Sequence, residues 1–431
     1  MGQGVASRGK LAGRSVPLQG DGQEPVKTLG ENRLHSQQIL QLLPLNHGPG
    51  ALVDDLSSQL HRHFDRSIAT KLAWVDGPGN LWRNIILPMS HMSSPVLSSV
   101  LAVASQDLAY KYLTDHPYYH RLQVASLHYR DQALSSLGQQ LEPLLGAPGS
   151  LASTSQVRCV LASTLLLYNL ELLTAEAAQW RLHIQGARAI IQQTMHCLDP
   201  RDKADIFLLY EHYFTSVFIG LTTFDLTDGI PDDVPTNDSV TIFSDFVRIM
   251  HSVTKAERLK VIGESNIQES GIEDVKRDVE TAKRKTIQLS HTIQFSSSGA
   301  KRDFEHLTYM YYHASLIYSH RVLSDVISFE PIIYISREAI LDHLFHLTRS
   351  AYFMHDLVWP LFIAGTECRG LPDKQEIIVQ AMLEVMRVSG ILDRRRVLSF
   401  LEMLWRISPD QDVNWIHLAR TMSAGCGFLI I

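Results

Sequence analysis

Histidine is the residue whose number and spacing in this chain most suggest chemistry. Twenty histidines occur among 431 residues, and His306, His313 and His320 recur at every seventh position. An imidazole can bind a metal ion or exchange a proton near neutral pH. On a helix, however, residues seven positions apart are two turns, or about 10 Å, from each other, which is too far to share one ion. The pattern therefore predicts histidines in the core or at an interface.

Two other histidine pairs come closer to the spacing of metal ligands. His343 and His346 are three positions apart, and His116 and His120 are four apart, so each pair would share one helix face. Pro117 lies inside the second pair and disturbs a continuous helix there. A zinc site also needs further ligands that converge on the same point. We predict no metal site from either pair.

Cysteine spacing and local motifs give no catalytic site either. The four cysteines, Cys159, Cys197, Cys368 and Cys426, form no close pair of zinc ligands and are predicted to be reduced thiols. The chain has no glycine-rich phosphate loop, no dinucleotide fingerprint, no His-Glu-x-x-His helix and no Gly-x-Ser-x-Gly elbow. We predict no catalytic residue, cofactor or metal, and therefore no enzyme. Catalysis would require distant polar residues to converge in three dimensions.

A short basic run is the remaining local signal. Lys283, Arg284 and Lys285 are consecutive, a pattern typical of nuclear import signals. The alternative is the solvated face of a charged helix, in which Glu280 pairs with Arg284. The net charge of the whole chain is -6 and its pI is about 6.4, so no autonomous binding to DNA is expected.

Hydrophobic periodicity indicates which elements position these residues. Leu52, Leu56, Leu60 and Phe64 recur every four positions, as on one face of a helix. Residues 157–173 are apolar on nearly all sides, which is typical of a central buried helix. Further helices are predicted along the chain, including one over 336–355, and no segment alternates with the period of a β-strand. The predicted fold class is all-α, a large multi-helix array.

Composition divides the chain into a tail and one domain. Residues 1–48 are rich in Gly, Gln, Ser and Pro, which predicts a disordered tail rather than a transit peptide. Residues 49–431 are predicted to form a single helical domain. Within it, about 254–302 is the most charged segment and is expected to be a long exposed helix or a partly ordered insert. No secretory or membrane-spanning run is visible, so an intracellular, soluble protein is expected.

Several separated segments resemble one family. The run from Trp180 to Arg188, the run from Trp359 to Cys368 and the Leu404-Trp405-Arg406 segment are the strongest of them. Together with segments near Asn80 and Tyr118, they resemble the second of the fungal-specific transcription factor domain families. This is the regulatory domain of zinc-binuclear-cluster transcription factors. The residues that carry the resemblance are Trp180, His183, Gly186, Ala187, Arg188, Trp359, Pro360, Gly365, Glu367 and Trp405.

The first of these segments reads as structural rather than ligand-binding. Trp180, His183 and Ala187 share one helix face. Gly186 is expected to let a neighbouring backbone approach, and Arg188 is expected to hold a carboxylate or the carboxyl end of a helix.

The chain departs from the family in one respect. Members carry six clustered cysteines that hold two zinc ions and place a helix in the DNA major groove, whereas residues 1–158 contain no cysteine. A DNA reader of that type is therefore not expected here. Either a partner protein supplies the reader, or the gene model lacks an upstream exon that encodes it.

The resemblance implies a non-catalytic transcriptional regulator in the nucleus. Its expected partners are other transcription factors or co-regulators, and a small-molecule effector in an interhelical pocket is a further expectation. Such proteins often control nutrient use or secondary-metabolism gene clusters. The alternative is a cytoplasmic scaffold, or an inhibitor that titrates a homologous regulator. Exposed apolar helix faces also leave room for a homodimer.

Overall fold

The computed structural model of the chain describes ten stretches. They are residues 3–5, 15–17, 49–145, 153–174, 180–222, 242–263, 271–323, 331–348, 353–411 and 413–421. The chain forms two units, Met1–Leu52 and Val53–Ile431. Within the described stretches, no helix combines the length and the apolar character needed to cross a membrane.

The first unit contains one small antiparallel pair of strands. Strand β1 (Gln3–Val5) pairs with strand β2 (Ser15–Pro17), so that Gly4 lies opposite Val16. The rest of the predicted tail over 1–48 lies outside the described residues.

The second unit is built from helices, which confirms the all-α prediction. Helix α1 (Pro49–His63) begins in the first unit and continues into the second. The first half of the second unit further comprises α2 (Ala69–Leu72), α3 (Leu87–Met92), α4 (Ser94–Ala109), α5 (Pro117–Leu145), α6 (Thr154–Leu172) and α7 (Trp180–Thr194). Helix α8 (Lys203–Thr222) follows. The second half comprises α9 (Ser244–Ile262), α10 (Ile272–Ser290), α11 (Ser298–Leu323), α12 (Pro331–His346), α13 (Val358–Thr366), α14 (Pro372–Ser389), α15 (Arg395–Trp405) and α16 (Trp415–Thr421).

Within the described stretches, five shorter helical turns lie between these helices. Two are π-helical, Phe64–Ile68 and Trp82–Ile86, and three are 3₁₀ turns, Met195–Cys197, Met354–Leu357 and Leu392–Arg394. A π-helical turn holds one residue more than an α-helical turn and often occurs at a functional site. Both π-helical turns lie close to the cavity described below.

The buried apolar side chains form two separate clusters, and α8 belongs to both. The first core contains side chains from α1 to α7, and the second contains side chains from α9 to α16. Helix α8 contributes Phe207 and Leu208 to the first core and Phe214 and Phe218 to the second. A helix between two cores must be apolar on more than one face, and the Phe- and Tyr-rich sequence of α8 meets that need.

Both ends of α8 are fixed by charged hydrogen bonds to different halves of the unit. At its amino end, the fully buried Asp205 accepts two hydrogen bonds from Arg158 of α6, at 2.6 and 2.8 Å. Near its carboxyl end, the buried Arg258 of α9 donates to the Gly220 carbonyl at 3.0 Å. Carbonyls in the last turn of a helix lack partners within the helix, and a cation there is favoured by the helix dipole.

Helix α6 confirms the prediction of a central buried helix. Leu165, Leu166 and Leu167 are consecutive, and all three are buried. The helix begins with a capping box, in which the Ser153 hydroxyl accepts from the Gln156 backbone N–H and the Gln156 side chain accepts from the Ser153 N–H.

Two predictions about the second half were wrong. The helix predicted over 336–355 ends at His346, and a separate 3₁₀ turn begins at Met354. The charged segment at about 254–302 was expected to be exposed, but its described part includes the long helix α10, which is not exposed on all sides. One face of α10 is buried, because Val275 and Val279 pack in the second core while the charged residues occupy the other face. High charge density masked the period of these few apolar residues.

Candidate functional site

A cavity of about 120 Å³ lies where the two halves of the second unit meet. Its wall draws on both cores, on α8 and on the connecting turns. The side chains that line it are Ile68, Lys71, Leu72, Trp74, Trp82, Val103, Asp107, Tyr168, Asn169, Leu172, Leu173, Glu211, Phe214, Thr215, Phe218, Tyr311, His355, Asp356, Ser389, Ile391 and Arg394.

Helix α8 supplies one continuous side of the cavity. Glu211, Phe214, Thr215 and Phe218 occupy positions i, i+3, i+4 and i+7, which share one face of a helix. The helix that joins the two cores therefore also presents about two of its turns to the cavity.

Aromatic rings form much of the apolar wall. The ring centroid of Trp74 lies 5.9 Å from that of Tyr311 and 6.3 Å from that of Phe214, both close to perpendicular. Trp74 also packs at 4.9 Å against Phe243, whose positive φ of 62° is rare for a bulky residue. The Trp82 indole N–H donates to the Leu72 carbonyl at 3.1 Å. These contacts fix the rings that a ligand would touch.

One ion-paired group faces the cavity from the first half. The buried Asp107 carboxylate contacts the Lys71 ammonium at 2.5 Å and the His63 imidazole at 2.8 Å. Burial alone would raise the pKa of Asp107, but the hydrogen bond from His63 and the charge of Lys71 outweigh burial and lower it. Asp107 is therefore ionised at neutral pH, and its charge is balanced within the wall.

A second polar group comes from the 3₁₀ turn Met354–Leu357. The Tyr311 hydroxyl donates to the Asp356 carbonyl at 3.1 Å, and the Arg394 guanidinium donates to the His355 carbonyl at 2.9 Å. Burial lowers the pKa of His355 to about 3 and that of Arg394 to about 10. Burial also raises the pKa of the Asp356 carboxyl well above its ordinary value, although the Arg394 charge opposes this. At neutral pH, Arg394 is therefore charged and His355 is neutral, and His355 Nε2 lies 3.4 Å from Asp356 Oδ1.

Glu211 differs from the other acids of the wall. Part of its surface remains accessible although it lies deep in the fold, because that surface faces the cavity. Within the part of the chain that the structure describes, its carboxyl has no hydrogen-bond or ion-pair partner. Burial raises the pKa of Glu211 to about 8. It is therefore largely protonated at neutral pH.

The polar residues that line the cavity were not predicted from the sequence. They come from eight separate elements between residues 71 and 394, so no local motif contains them. The available signal was an ionisable residue inside an apolar helix, as with Asp107 in α4 and Glu211 in α8. Such residues are buried only where a partner or a function compensates.

The first family segment lies in α7, where its side chains pack and form ion pairs within the fold. Trp180 and Ala187 are buried against the first core, and the Arg181 guanidinium lies over the Trp180 ring. His183 lies 3.8 Å from the buried Glu171 of α6, which also pairs with Arg130 at 2.7 Å. Arg188 interacts with His212 of α8, where burial and the Arg188 charge lower the pKa of His212 to about 4.

The role predicted for Gly186 was wrong. A Cβ atom built at this position would meet nothing within 4 Å, so no neighbouring backbone approaches there. The close approach occurs at Gly365 in α13 instead. A Cβ at that position would lie 2.8 Å from Leu401 Cδ1 and 3.4 Å from Ile378 Cγ2, and both neighbours are fully buried.

Residues of the second family segment form hydrogen bonds at the carboxyl end of α13. Trp405 of α15 donates its indole N–H to the Gly365 carbonyl at 2.8 Å. Glu367 accepts two hydrogen bonds from Arg321, at 2.9 and 2.6 Å, and its own carbonyl accepts from Arg337 at 2.9 Å. Three signature residues, Gly365, Glu367 and Trp405, and two unpredicted arginines thus fix α11, α12, α13 and α15 together.

The other two signature residues of this segment, Trp359 and Pro360, are buried in α13. The Trp359 ring packs at 5.2 Å against Tyr311, which lines the cavity. Trp359 thereby contacts the cavity wall directly.

The predicted import run is only partly accessible. The Lys283 ammonium contacts Glu280 at 2.8 Å and lies 4.0 Å from the centre of the Tyr312 ring. Arg284 and Lys285 are exposed, and Lys285 pairs with Asp245 of α9 at 3.2 Å. Two of the three basic side chains therefore face solvent.

The histidines of α11 and α12 meet each other. His306 Nδ1 lies 3.0 Å from His343 Nδ1, and the rings of His306 and His346 stack with their centroids 5.5 Å apart. A search of the described stretches finds no group of three or more His, Cys, Asp or Glu side chains arranged to hold a metal ion.

Gly365, which is crowded, and Gly186, which is not, give a matched pair of substitutions. Gly365→Ala is expected to lower the free energy of unfolding by about 1–3 kcal/mol, because the new methyl group overpacks buried neighbours. Gly186→Ala is expected to raise it by about 1 kcal/mol, since alanine has the higher helix propensity and the space is open. Denaturant unfolding of both variants measures the difference, and equal effects would contradict this packing.

The cavity gives a second matched pair of substitutions, one beside the cavity and one in the packed core. Val103→Leu adds one methylene group to the cavity and is expected to stabilise the fold by about 0.8 kcal/mol. Val160→Leu adds the same group to the packed first core and is expected to destabilise the fold by about 1–3 kcal/mol. Val103 and Val160 are both buried, but only Val103 is among the residues that line this cavity. Destabilisation of the same size in both variants would argue against usable space beside Val103.

Comparison with known proteins identifies the family. A family model described as fungal specific transcription factor domain matches residues 59–426. Neither the curated proteins nor the solved structures contain a match. The matched range covers the helices from α2 to α16, the cavity and all three signature segments, and it confirms the resemblance found in the sequence. The chain belongs to the fungal specific transcription factor domain family.

Proposed function

We propose that this chain regulates transcription through partner proteins, and that a small molecule in the cavity between its two cores controls that activity. The family supports the general role in transcription. The observation that carries the finer proposal is the cavity itself, which combines an aromatic wall with a few convergent polar groups, the composition typical of small-molecule sites.

Because of the position of the cavity, a ligand bound there could affect surfaces that it does not contact. A ligand there would contact α8 and both halves of the unit at once. It can change the preferred arrangement of the two halves by as much as its affinities for the alternative arrangements differ. Partner-binding surfaces on either half would then respond to the ligand.

Binding accounts for the polar groups of the cavity better than catalysis does. Catalysis would require several polar residues to converge at one place, and the polar residues of this cavity do converge. However, no serine or threonine of its described wall hydrogen-bonds to His355 or to an acid, as an activated nucleophile requires. His355, with a pKa of about 3, is also a poor base at neutral pH.

The DNA contact is assigned to a partner. Residues 1–158 contain no cysteine, and the net charge of -6 gives no general attraction to DNA. The proposal therefore has the chain reach promoters on another transcription factor or co-regulator, or on a homologous chain paired with it. A nuclear location and a role in a secondary-metabolism gene cluster belong to this proposal, and a cytoplasmic scaffold or inhibitor is the competing reading.

Chromatin immunoprecipitation of the tagged chain tests this assignment. We expect promoter DNA to be recovered from cells, while the purified chain does not shift the same DNA, because the contact is made by a partner. A shift by the purified chain would contradict the partner requirement. Absence from chromatin would favour the cytoplasmic scaffold instead.

The exposed part of the basic run gives a test of localisation. The double variant Arg284→Gln, Lys285→Gln is expected to lower the nuclear fraction of a fluorescently tagged chain, since both side chains face solvent. Lys301→Gln, Arg302→Gln removes the same charge at the start of α11 and serves as the control. If both double variants remain as nuclear as the parent, this run is only the solvated face of a helix.

A further inference from the structure

Glu211 differs in its contacts from the other two acids of the cavity wall. Asp107 is ion-paired with Lys71, and Asp356 Oδ1 lies 3.4 Å from His355 Nε2. Glu211 also lines the cavity, but it has no hydrogen-bond or ion-pair partner among the described residues. A buried carboxyl without a partner costs free energy. An occupant of the cavity that supplies the partner would recover that cost.

The two cations of the wall already interact with other acids. Lys71 contacts the Asp107 carboxylate, and Arg394 is electrostatically coupled to Asp356. Burial raises the pKa of Glu211 to about 8, and neither cation opposes this rise. Since a cation nearby would lower the pKa of a carboxyl, neither lies close to Glu211. The cavity therefore offers a carboxyl without a counter-charge, and not a cation without one.

The other titratable groups of the wall do not supply that counter-charge. Burial raises the pKa of both tyrosines and lowers that of His355 to about 3, so all three are neutral near pH 7. Burial also raises the pKa of Asp356, so a variant of Glu211 must separate the two titrations. The groups that face the cavity with Glu211 are Lys71, Asp107, Tyr168, Tyr311, His355, Asp356 and Arg394, with Asp393 near Tyr168.

Aromatic rings lie beside the carboxyl. Phe214 follows Glu211 by three positions on the same face of α8, where Cβ atoms are about 5–6 Å apart. Burial raises the pKa of the Tyr168 phenol, and the nearby charges of Asp393 and Glu211 raise it further. A cation within about 6 Å of a ring centre is attracted by the face of the ring. An ammonium group held by Glu211 would therefore also gain from these rings.

We propose that the cavity binds a compact organic amine, whose ammonium group pairs with the Glu211 carboxylate beside the rings of Tyr168 and Phe214. This inference rests on the proposed role of the cavity as an effector site. An organic acid is the opposite possibility, but both cations of the wall already have partners, and ionised Glu211 would repel it. The apolar part of the wall, including Val103 and Phe218, would enclose the hydrocarbon part of the amine.

The volume limits the size of the amine. A cavity of about 120 Å³ is slightly smaller than the engineered cavity of about 150 Å³ that holds benzene. The hydrocarbon part should therefore be a branched chain of about four or five carbons or a small ring. Larger effectors would require the two halves to move apart.

Proton linkage gives the proposal a definite sign. An ammonium group favours the ionised form of Glu211, so this carboxyl releases its proton to solvent when an amine binds below its pKa of about 8. The affinity for an amine should therefore rise with pH up to that pKa and level off above it. The amine itself stays charged, because the pKa of an alkylammonium group is about 10.4, as in lysine. The affinity for a carboxylate would fall over the same range.

The experiment titrates the purified full chain with three probes that share one hydrocarbon group, 3-methylbutylamine, 3-methylbutan-1-ol and 3-methylbutanoate. Ligand-observed NMR measures each dissociation constant between about pH 6 and 9.5. We expect the affinity for the amine to rise by about tenfold per pH unit until the pH reaches about 8. At about pH 9 the amine should bind at least about tenfold more tightly than the alcohol, whose affinity should change little with pH.

The variant Glu211→Gln removes the charge and nearly keeps the shape of the side chain. It should bind the amine at least about tenfold more weakly at about pH 9 and lose the pH dependence. It should bind the alcohol as the parent does, and that result shows that the cavity is intact. The control Glu402→Gln removes an exposed acid of α15 and should behave like the parent.

The three probes also decide the ligand class on the parent chain alone, even if a variant fails to fold. Tighter binding of the acid, equal binding of the amine and the alcohol at about pH 9, or binding of no probe would each overturn the proposal. So would a rise of amine affinity with pH that persists in folded Glu211→Gln. These titrations need no chromatin, so a wrong ligand class can be told from a wrong assignment to transcription.

Discussion

The architecture depends on one helix being shared by two cores. Helix α8 sends apolar side chains into both clusters, and it is fixed to the first half through Asp205 and Arg158 and to the second through Gly220 and Arg258. The two attachments use charged hydrogen bonds, which tolerate displacement poorly because a buried charge without its partner is costly. The position of α8 then sets the distance between the halves, and the cavity is the space that their side chains leave beside it.

The signature residues and the cavity residues have different tasks. Gly365, Glu367 and Trp405 join helices of the second half, and Trp180 and His183 join α7 to α6 in the first. These contacts build each half separately. The polar groups of the cavity come from outside the signature segments, with Trp359 touching them through Tyr311. One scaffold of this kind can accommodate different side chains in the cavity without a change in its packing.

The sequence was sufficient for the fold class but not for the cavity. Hydrophobic periodicity predicted the buried helix α6 and the first helix of the domain, because each helix shows its buried face within a few turns. It failed where charge outnumbered the apolar residues, as in α10, and where a helix ended early at His346. Gly186 and Gly365 look alike in sequence, and only tertiary neighbours decide which one is crowded. Glu211 and Arg394 are 183 positions apart, so no local sequence motif indicates that they line the same cavity.

The sharing of α8 by both cores also affects how the protein unfolds. A chain of this length commonly divides into domains that unfold one after another. Here neither half can lose its packing without exposing one face of α8 and weakening the other half. The two halves should therefore open as one cooperative unit, with the slowest amide hydrogen exchange in α6 and α8. A molecule bound at the seam would protect both halves from exchange and proteolysis together, including helices that it does not touch.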